Sequence, residues 1–174
     1  MRAAKFLTFA IPMFIFVSCK KNDFQNSLSS QESVSNSESS IENSVSKPRF
    51  SDWETVSAWS NDKVDSVTDF LGTISDSAIT SEIVNNGLVL LFINTGSAVE
   101  SLPYQKGNIE WYYQVSTKGI SITAHAAAGS SINKDQSFLY VLLSNDQLND
   151  LAGRGITKSQ LLNSSYMNAV NLLQ

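Results

Sequence analysis

One histidine, a series of carboxylates and a concentration of aromatic rings are the residues of this chain that could do chemistry. His125 is the only histidine among 174 residues. It falls on the polar side of an alternating run, Ile120 to Ala127, where an imidazole could act as a general base. A zinc site needs three or four nitrogen, sulfur or carboxylate ligands in a tight set, and a single histidine with no cysteine nearby does not supply them. No metal or other cofactor is therefore expected. A Ser-His-Asp set can be assembled from distant positions, so a small hydrolase built on His125 stays open as an alternative. The strand–turn–helix elbow G-x-S-x-G is missing, and Ala128-Gly129-Ser130-Ser131 reads as a loop. Asp52, Glu54, Asp62, Asp65, Asp69 and Asp76 make the early segments acidic. Glycoside hydrolysis requires two carboxyls at a fixed separation across a cleft, and no D-x-[DN]-x-[DN]-G calcium loop is present. A solvated acidic face is expected. The aromatics are the better hook, because exposed Trp and Tyr stack on sugars and anchor protein interfaces. Trp111 and Tyr113 alternate with Ile109 and Val115 and are expected in the core. Tyr112 faces the other way with Glu110 and Gln114, and with Trp53 and Trp59 it completes the candidate ligand-binding set.

The single cysteine has a different setting. Arg2 and Lys5 precede an apolar stretch, Phe6 to Val17, of about a dozen residues, shorter than the roughly 20 that span a bilayer. Residues 1–18 therefore read as a secretory signal. Phe16-Val17-Ser18-Cys19 resembles a bacterial lipobox, although Phe16 stands where Leu is usual. The resemblance implies that Cys19 carries a diacylglycerol thioether and becomes the acylated N-terminus, which excludes redox chemistry at that sulfur. Two or three acyl chains anchor stably where one is marginal. Lys20 and Lys21 follow, with no Asp directly after the cysteine. An outer-membrane address, on either leaflet, is expected.

Residues 19–48 comprise this cysteine and a segment of Ser, Asn, Gln and Glu. Its apolar residues Phe24, Leu28, Val34, Ile41 and Val45 follow no period, so it cannot bury enough surface to offset chain entropy. As a flexible tether it reaches about 30 Å, with Pro48 as a boundary. The remaining residues, 49–174, are long enough for one self-sufficient core. A formal charge of −4 and the lack of any basic stretch argue against nucleic acid. One cysteine forbids an internal disulfide.

The elements that must position the candidate residues are mostly strands. The aromatic and β-branched content of 50–60 favours a strand, and 64–74 continues it, with Gly72 as a bulge. Ile79, Ile83 and Val84 lie at helical spacing within 76–86, with Thr80 or Ser77 as N-cap and Gly87 as a left-handed C-terminal residue. Leu88 to Ile93 is apolar on both faces, as a strand buried on both sides must be. Asn94 to Ser97 turns the chain, Val99 to Tyr104 is extended and ends near Pro103, and Ile109 to Thr117 and Ile120 to Ala127 alternate cleanly. Residues 129–136 form a loop before the apolar strand Phe138 to Ser144. The polar stretch 145–156 follows, with Leu148 and Leu151 as plugs. Thr157 to Gln160 fits a capping box that opens a terminal helix broken near Asn163-Ser164. Strands at roughly ten-residue spacing predict a mainly β fold: a β-sandwich or partly closed antiparallel barrel, with one short internal helix and a C-terminal helix.

Trp53, Trp59, Ile83, Asn86, Gly87, Val89, Leu91 and the close Leu102-Pro103-Tyr104 together resemble a family of uncharacterised Bacteroidetes lipoproteins. The resemblance implies a β-rich domain and an envelope location, and it brings no catalytic residue. The expectation from sequence is a non-enzymatic, membrane-anchored envelope lipoprotein that binds a protein partner or a glycan. The alternatives are the His125 hydrolase and a structural accessory subunit of an outer-membrane assembly.

Overall fold

A computed structural model describes residues 46–174. The expected signal, Cys19 and the expected tether as far as residue 45 lie outside the described residues. The fold is mainly β, with two antiparallel five-stranded sheets and four helices. Its centre is one pair of strands, β5 (Leu88–Asn94) and β10 (Ser137–Leu143), joined antiparallel from Leu88↔Leu143 to Asn94↔Ser137. Apart from Asn94 and Ser137 at one end and the Tyr140 hydroxyl, both strands are apolar on both faces, so both faces must be covered. Val89, Leu91, Ile93, Phe138, Tyr140 and Leu142 point into the space between the sheets. Leu90, Phe92, Leu139, Val141 and Leu143 point the opposite way, into a layer of helices.

The first sheet is completed by β6 (Val99–Ser101) beside β5, and by β1 (Arg49–Phe50) and β2 (Glu54–Thr55), which share the other edge of β10. Phe50 faces Val141 and Glu54 faces Phe138, so the N-terminal strand carries one extra residue and bulges between them. Ser51 bridges the bulge: its N–H donates to the Tyr140 carbonyl and its hydroxyl accepts from the Tyr140 N–H, both at 2.9 Å. The second sheet runs β3 (Ser60–Val64), β4 (Val67–Ser75), β9 (Gly119–Ala127), β8 (Ile109–Ser116) and β7 (Tyr104–Lys106). Ile74, Trp111, Ile120, Ile122 and Ala124 on its inner face meet the first sheet. No barrel closes.

Several segments depart from the expectation, each for an identifiable reason. Residues 50–60 are not one strand. The chain leaves the first sheet after Thr55 and enters the second at Ser60, which puts Trp53 and Trp59 in different surroundings. Residues 99–104 divide in the same way, with β6 and β7 in different sheets and the cis Leu102–Pro103 peptide between them. Gly72 makes no bulge, since β4 pairs with β9 in unbroken register through Gly72↔Ile122. A Cβ there would lie 2.7 Å from Val56 and 2.9 Å from the Trp59 ring, so the glycine leaves room for the indole. The stretch 145–156 contains a helix, α2 (Asn145–Gly153), opened by a capping box of Ser144 and Gln147. The terminal segment is two helices, α3 (Lys158–Leu162) and α4 (Tyr166–Leu173), capped by Thr157 and Ser165 and separated at the anticipated break. Leu148, Leu151, Leu161, Ala169 and Leu173 supply the apolar side of this layer.

The internal helix α1 (Ser81–Asn86) starts at Thr80, whose hydroxyl accepts from the Ile83 N–H. It ends at Gly87, but not through a left-handed turn, because φ there is −84°. The glycine is required by crowding: a Cβ would collide with the carbonyl oxygens of Leu143 and Ile83. Gly87→Ala is therefore expected to destabilise the fold by about 2–4 kcal/mol. Gly153→Ala, at an open helical position with nothing near its Cβ, is expected to stabilise by about 0.5–1 kcal/mol. Urea unfolding of both variants checks this, and equal effects would refute the crowding account.

Candidate functional site

Among the described residues no layer packs over the outer face of the second sheet, while the helices cover the first. β-strand alternation sends Asp69, Leu71 and Thr73 of β4, Ser121, Thr123 and His125 of β9, and Glu110, Tyr112 and Gln114 of β8 to this face. Register then builds rows. Asp62, Asp69, His125, Glu110 and Gln105 stand opposite one another across all five strands, and Leu71, Thr123 and Tyr112 form the next row. Leu71 is 43% and Tyr112 37% exposed.

Within the polar row the His125 Nδ1 lies 2.7 Å from an Asp69 oxygen, and both side chains are partly exposed. Cross-strand ion pairs in that setting are worth about 1 kcal/mol or less. The contact has the base-and-orienter geometry of two members of a catalytic triad. Among the described residues no hydroxyl is hydrogen-bonded to the ring. Its neighbours across the strands are carboxylates on both sides, Asp69 and Glu110. No group of three or more His, Cys, Asp or Glu side chains among the described residues is placed to hold a metal ion.

The candidate aromatics do not come together. Tyr112 is on the exposed sheet face. Trp53, 39% exposed, lies in the β1–β2 bulge and packs on Tyr166 of α4 at 6.1 Å between ring centroids. Trp59 is wedged between the sheets, edge-on to Trp111 at 6.0 Å and tilted against Phe138 at 6.3 Å, with its indole N–H donating to the Lys134 carbonyl. Trp111 and Tyr113 are on the inner face, and Tyr113 donates its hydroxyl to the Val89 carbonyl at 2.8 Å. Cys19 is outside the described residues.

A second polar cluster went unforeseen because its members come from four separate segments. The buried Tyr140 hydroxyl donates to Asp76 at 2.7 Å and lies 3.5 Å from Glu54. Asp76 also accepts from the Ala78 N–H at 2.9 Å and pairs with the Arg49 guanidinium at 3.2 Å. Burial alone would raise the Asp76 carboxyl, but the Ala78 N–H, the Tyr140 hydroxyl and Arg49 outweigh it and hold the group below its ordinary value. Burial first, then the bond to Asp76 and the charge of Glu54, push the Tyr140 phenol well up. This cluster ties β1 and the β4–α1 junction to β10, near the first of the described residues. The chain is held even earlier, since the buried Gln147 amide donates to the Ser46 carbonyl at 2.6 Å. Searched against protein-family models, curated proteins and solved structures, the chain matches none.

The two shifts in the Tyr140 cluster act at opposite ends of the pH scale. Asp76 is depressed, so its contribution is complete above 3.8 and is lost as the pH falls through its folded value. Tyr140 is raised, so its contribution is complete below 10.0 and is lost as the pH climbs toward its folded value. Tyr140→Phe should flatten both limbs of a melting-temperature profile, the alkaline one only in part because Tyr113 is also raised by burial. A variant profile parallel to wild type at both extremes would dismiss the linkage.

Proposed function

We propose that the protein is a non-enzymatic envelope lipoprotein, anchored to the outer membrane through lipid on Cys19. Its β domain binds a protein partner through the outer face of the second sheet. The single supporting observation is the uncovered row Leu71–Thr123–Tyr112 beside Asp62, Asp69, His125 and Glu110. An apolar and aromatic strip bordered by carboxylates suits a partner that offers an apolar contact rimmed by Lys and Arg. The separation of Trp53, Trp59 and Tyr112 removes the shared aromatic surface on which a glycan would have lain across these three residues. His125 serves in this reading as the cross-strand partner of Asp69, and the hydrolase alternative rests on that 2.7 Å contact alone.

Replacing Cys19 by Ser should move the protein from the membrane pellet to the soluble fraction, and a variant that stays in the pellet would overturn the anchor. A photo-crosslinking side chain at position 112 or 71 should give one discrete protein adduct in cells, and one at position 134 should not. Asp69→Asn with Glu110→Gln should reduce the yield at 112 and its salt sensitivity together. Equal adducts from all three positions would reject the face as the interface.

A further inference from the structure

The second sheet carries a third outward row, and it changes what can lie on that face. Val64 of β3 pairs across the strands with Val67 of β4, and Val67 pairs in turn with Ala127 of β9. Alternation puts all three on the same side as Asp62, Asp69 and His125. Val64 is 65% exposed, the highest value for any large apolar side chain among the described residues. The acidic row therefore runs between two apolar rows, Val64–Val67–Ala127 on one side and Leu71–Thr123–Tyr112 on the other. Successive rows lie roughly 6.8 Å apart along the strands, and neighbouring strands roughly 4.8 Å apart.

The charges decide what can cover this pattern. None of the side chains that alternation sends to the face is Lys or Arg. Asp69 has His125 at 2.7 Å. Asp62 and Glu110, at the two flanks of that pair, are exposed and make no ion pair among the described residues. Covering both apolar rows also covers the row between them, and a carboxylate taken from water without a counter-charge is costly. A surface laid here must bring cations along its middle and apolar side chains to either side of them. A second copy of this chain, using the same face, would bring carboxylates and be repelled.

Spacing narrows the class of surface. A helix repeats every 5.4 Å or so and is roughly 10–12 Å across, so it falls out of step with these rows and covers two or three strands. Asp62 and Glu110 stand three strand spacings apart, roughly 14 Å. A strand presents side chains on one face at the same repeat as these rows, and packed sheets keep their strands nearly aligned. Several strands side by side reach from β3 to β8.

Taking the outer face as the interface, a premise shared with the proposed function, we propose that its partner is a β-sheet of another protein whose covering strands read apolar–x–Lys/Arg–x–apolar. The basic side chains meet Asp62 and Glu110, and the apolar ones meet the rows on either side.

The test uses the full-length protein in cells. A photo-crosslinking side chain is placed at position 67 or position 71, both on β4 and in the two apolar rows, and the crosslinked peptides are identified by mass spectrometry. Both should map to one protein and one strand, about four residues apart, with Lys or Arg between them. Asp62→Lys with Glu110→Lys should lower the yield at 71 about tenfold. Replacing the mapped Lys or Arg of the partner by Glu should restore it, which separates lost recognition from lost folding. Adducts that map to a helix, to a strand with no basic residue between the contacts, or to a second copy of this chain would overturn the sheet assignment and leave the face as an interface. So would an undiminished yield in the double variant. No protein adduct from 67, 71 or 112 would reject the interface itself, and the sheet assignment with it.

Discussion

Strands β5 and β10 are hydrophobic on both faces, and the rest of the architecture follows from the need to dry them twice. One face is met by a second sheet and the other by helices. Neither cover alone would suffice, because an uncovered Leu90–Phe92–Val141 face would leave a broad apolar surface in water. The requirement also sets local detail. For α1 to turn directly into β5 the backbone must pass against the Leu143 carbonyl, and only a residue without a Cβ can do so. The free edge of β10 is then shielded by residues 49–55, whose bulge at Ser51 twists the edge away from continued pairing.

Buried polar atoms in this fold act mainly as joints between segments that the apolar core does not align by itself. Tyr113 reaches from the second sheet to a carbonyl at the start of β5. Tyr140 reaches out of the sandwich to Asp76 and so to Arg49. Gln147 completes the α2 cap and holds Ser46. Each pairs groups far apart in sequence, and those of Tyr140 and Gln147 lie where the incoming residues 46–49 meet a sheet or a helix. Hydrophobic burial is non-directional; these bonds select one register and one docking angle from those that burial would tolerate. The Gln136 side-chain oxygen is the exception, buried with no hydrogen-bond partner among the described residues.

What was legible in the chain was local. Period-two alternation identified β8 and β9 and sorted Trp111 and Tyr113 from Tyr112. The unbroken apolar run identified β5 as doubly buried. Thr80, Thr157 and the break near Asn163 marked helix ends. What was illegible was either masked by composition or non-local. Residues 145–156 look like a loop because Asn, Asp and Gly dominate, yet Ser144 with Gln147 three places on is a helix start that the composition hid. Residues 50–60 look like one strand because propensity cannot register that a chain changes sheets. The partner of His125 is 56 positions away, and the donors to Asp76 come from Arg49, Ala78 and Tyr140. Such pairs are set by strand register, which a single sequence does not display.

Trp111 and Tyr112 show why the position of a residue decides more than its type. They are adjacent aromatics on one strand, and the pleat sends them to opposite sides of the sheet. Trp111 is buried in the core, packed against Trp59 and Phe138. Tyr112 is 37% exposed on the outer face, beside the row of Asp62, Asp69, His125 and Glu110. The two sides of the strand are therefore separate environments, one inside the sandwich and one facing outward, although their residues alternate along a single segment.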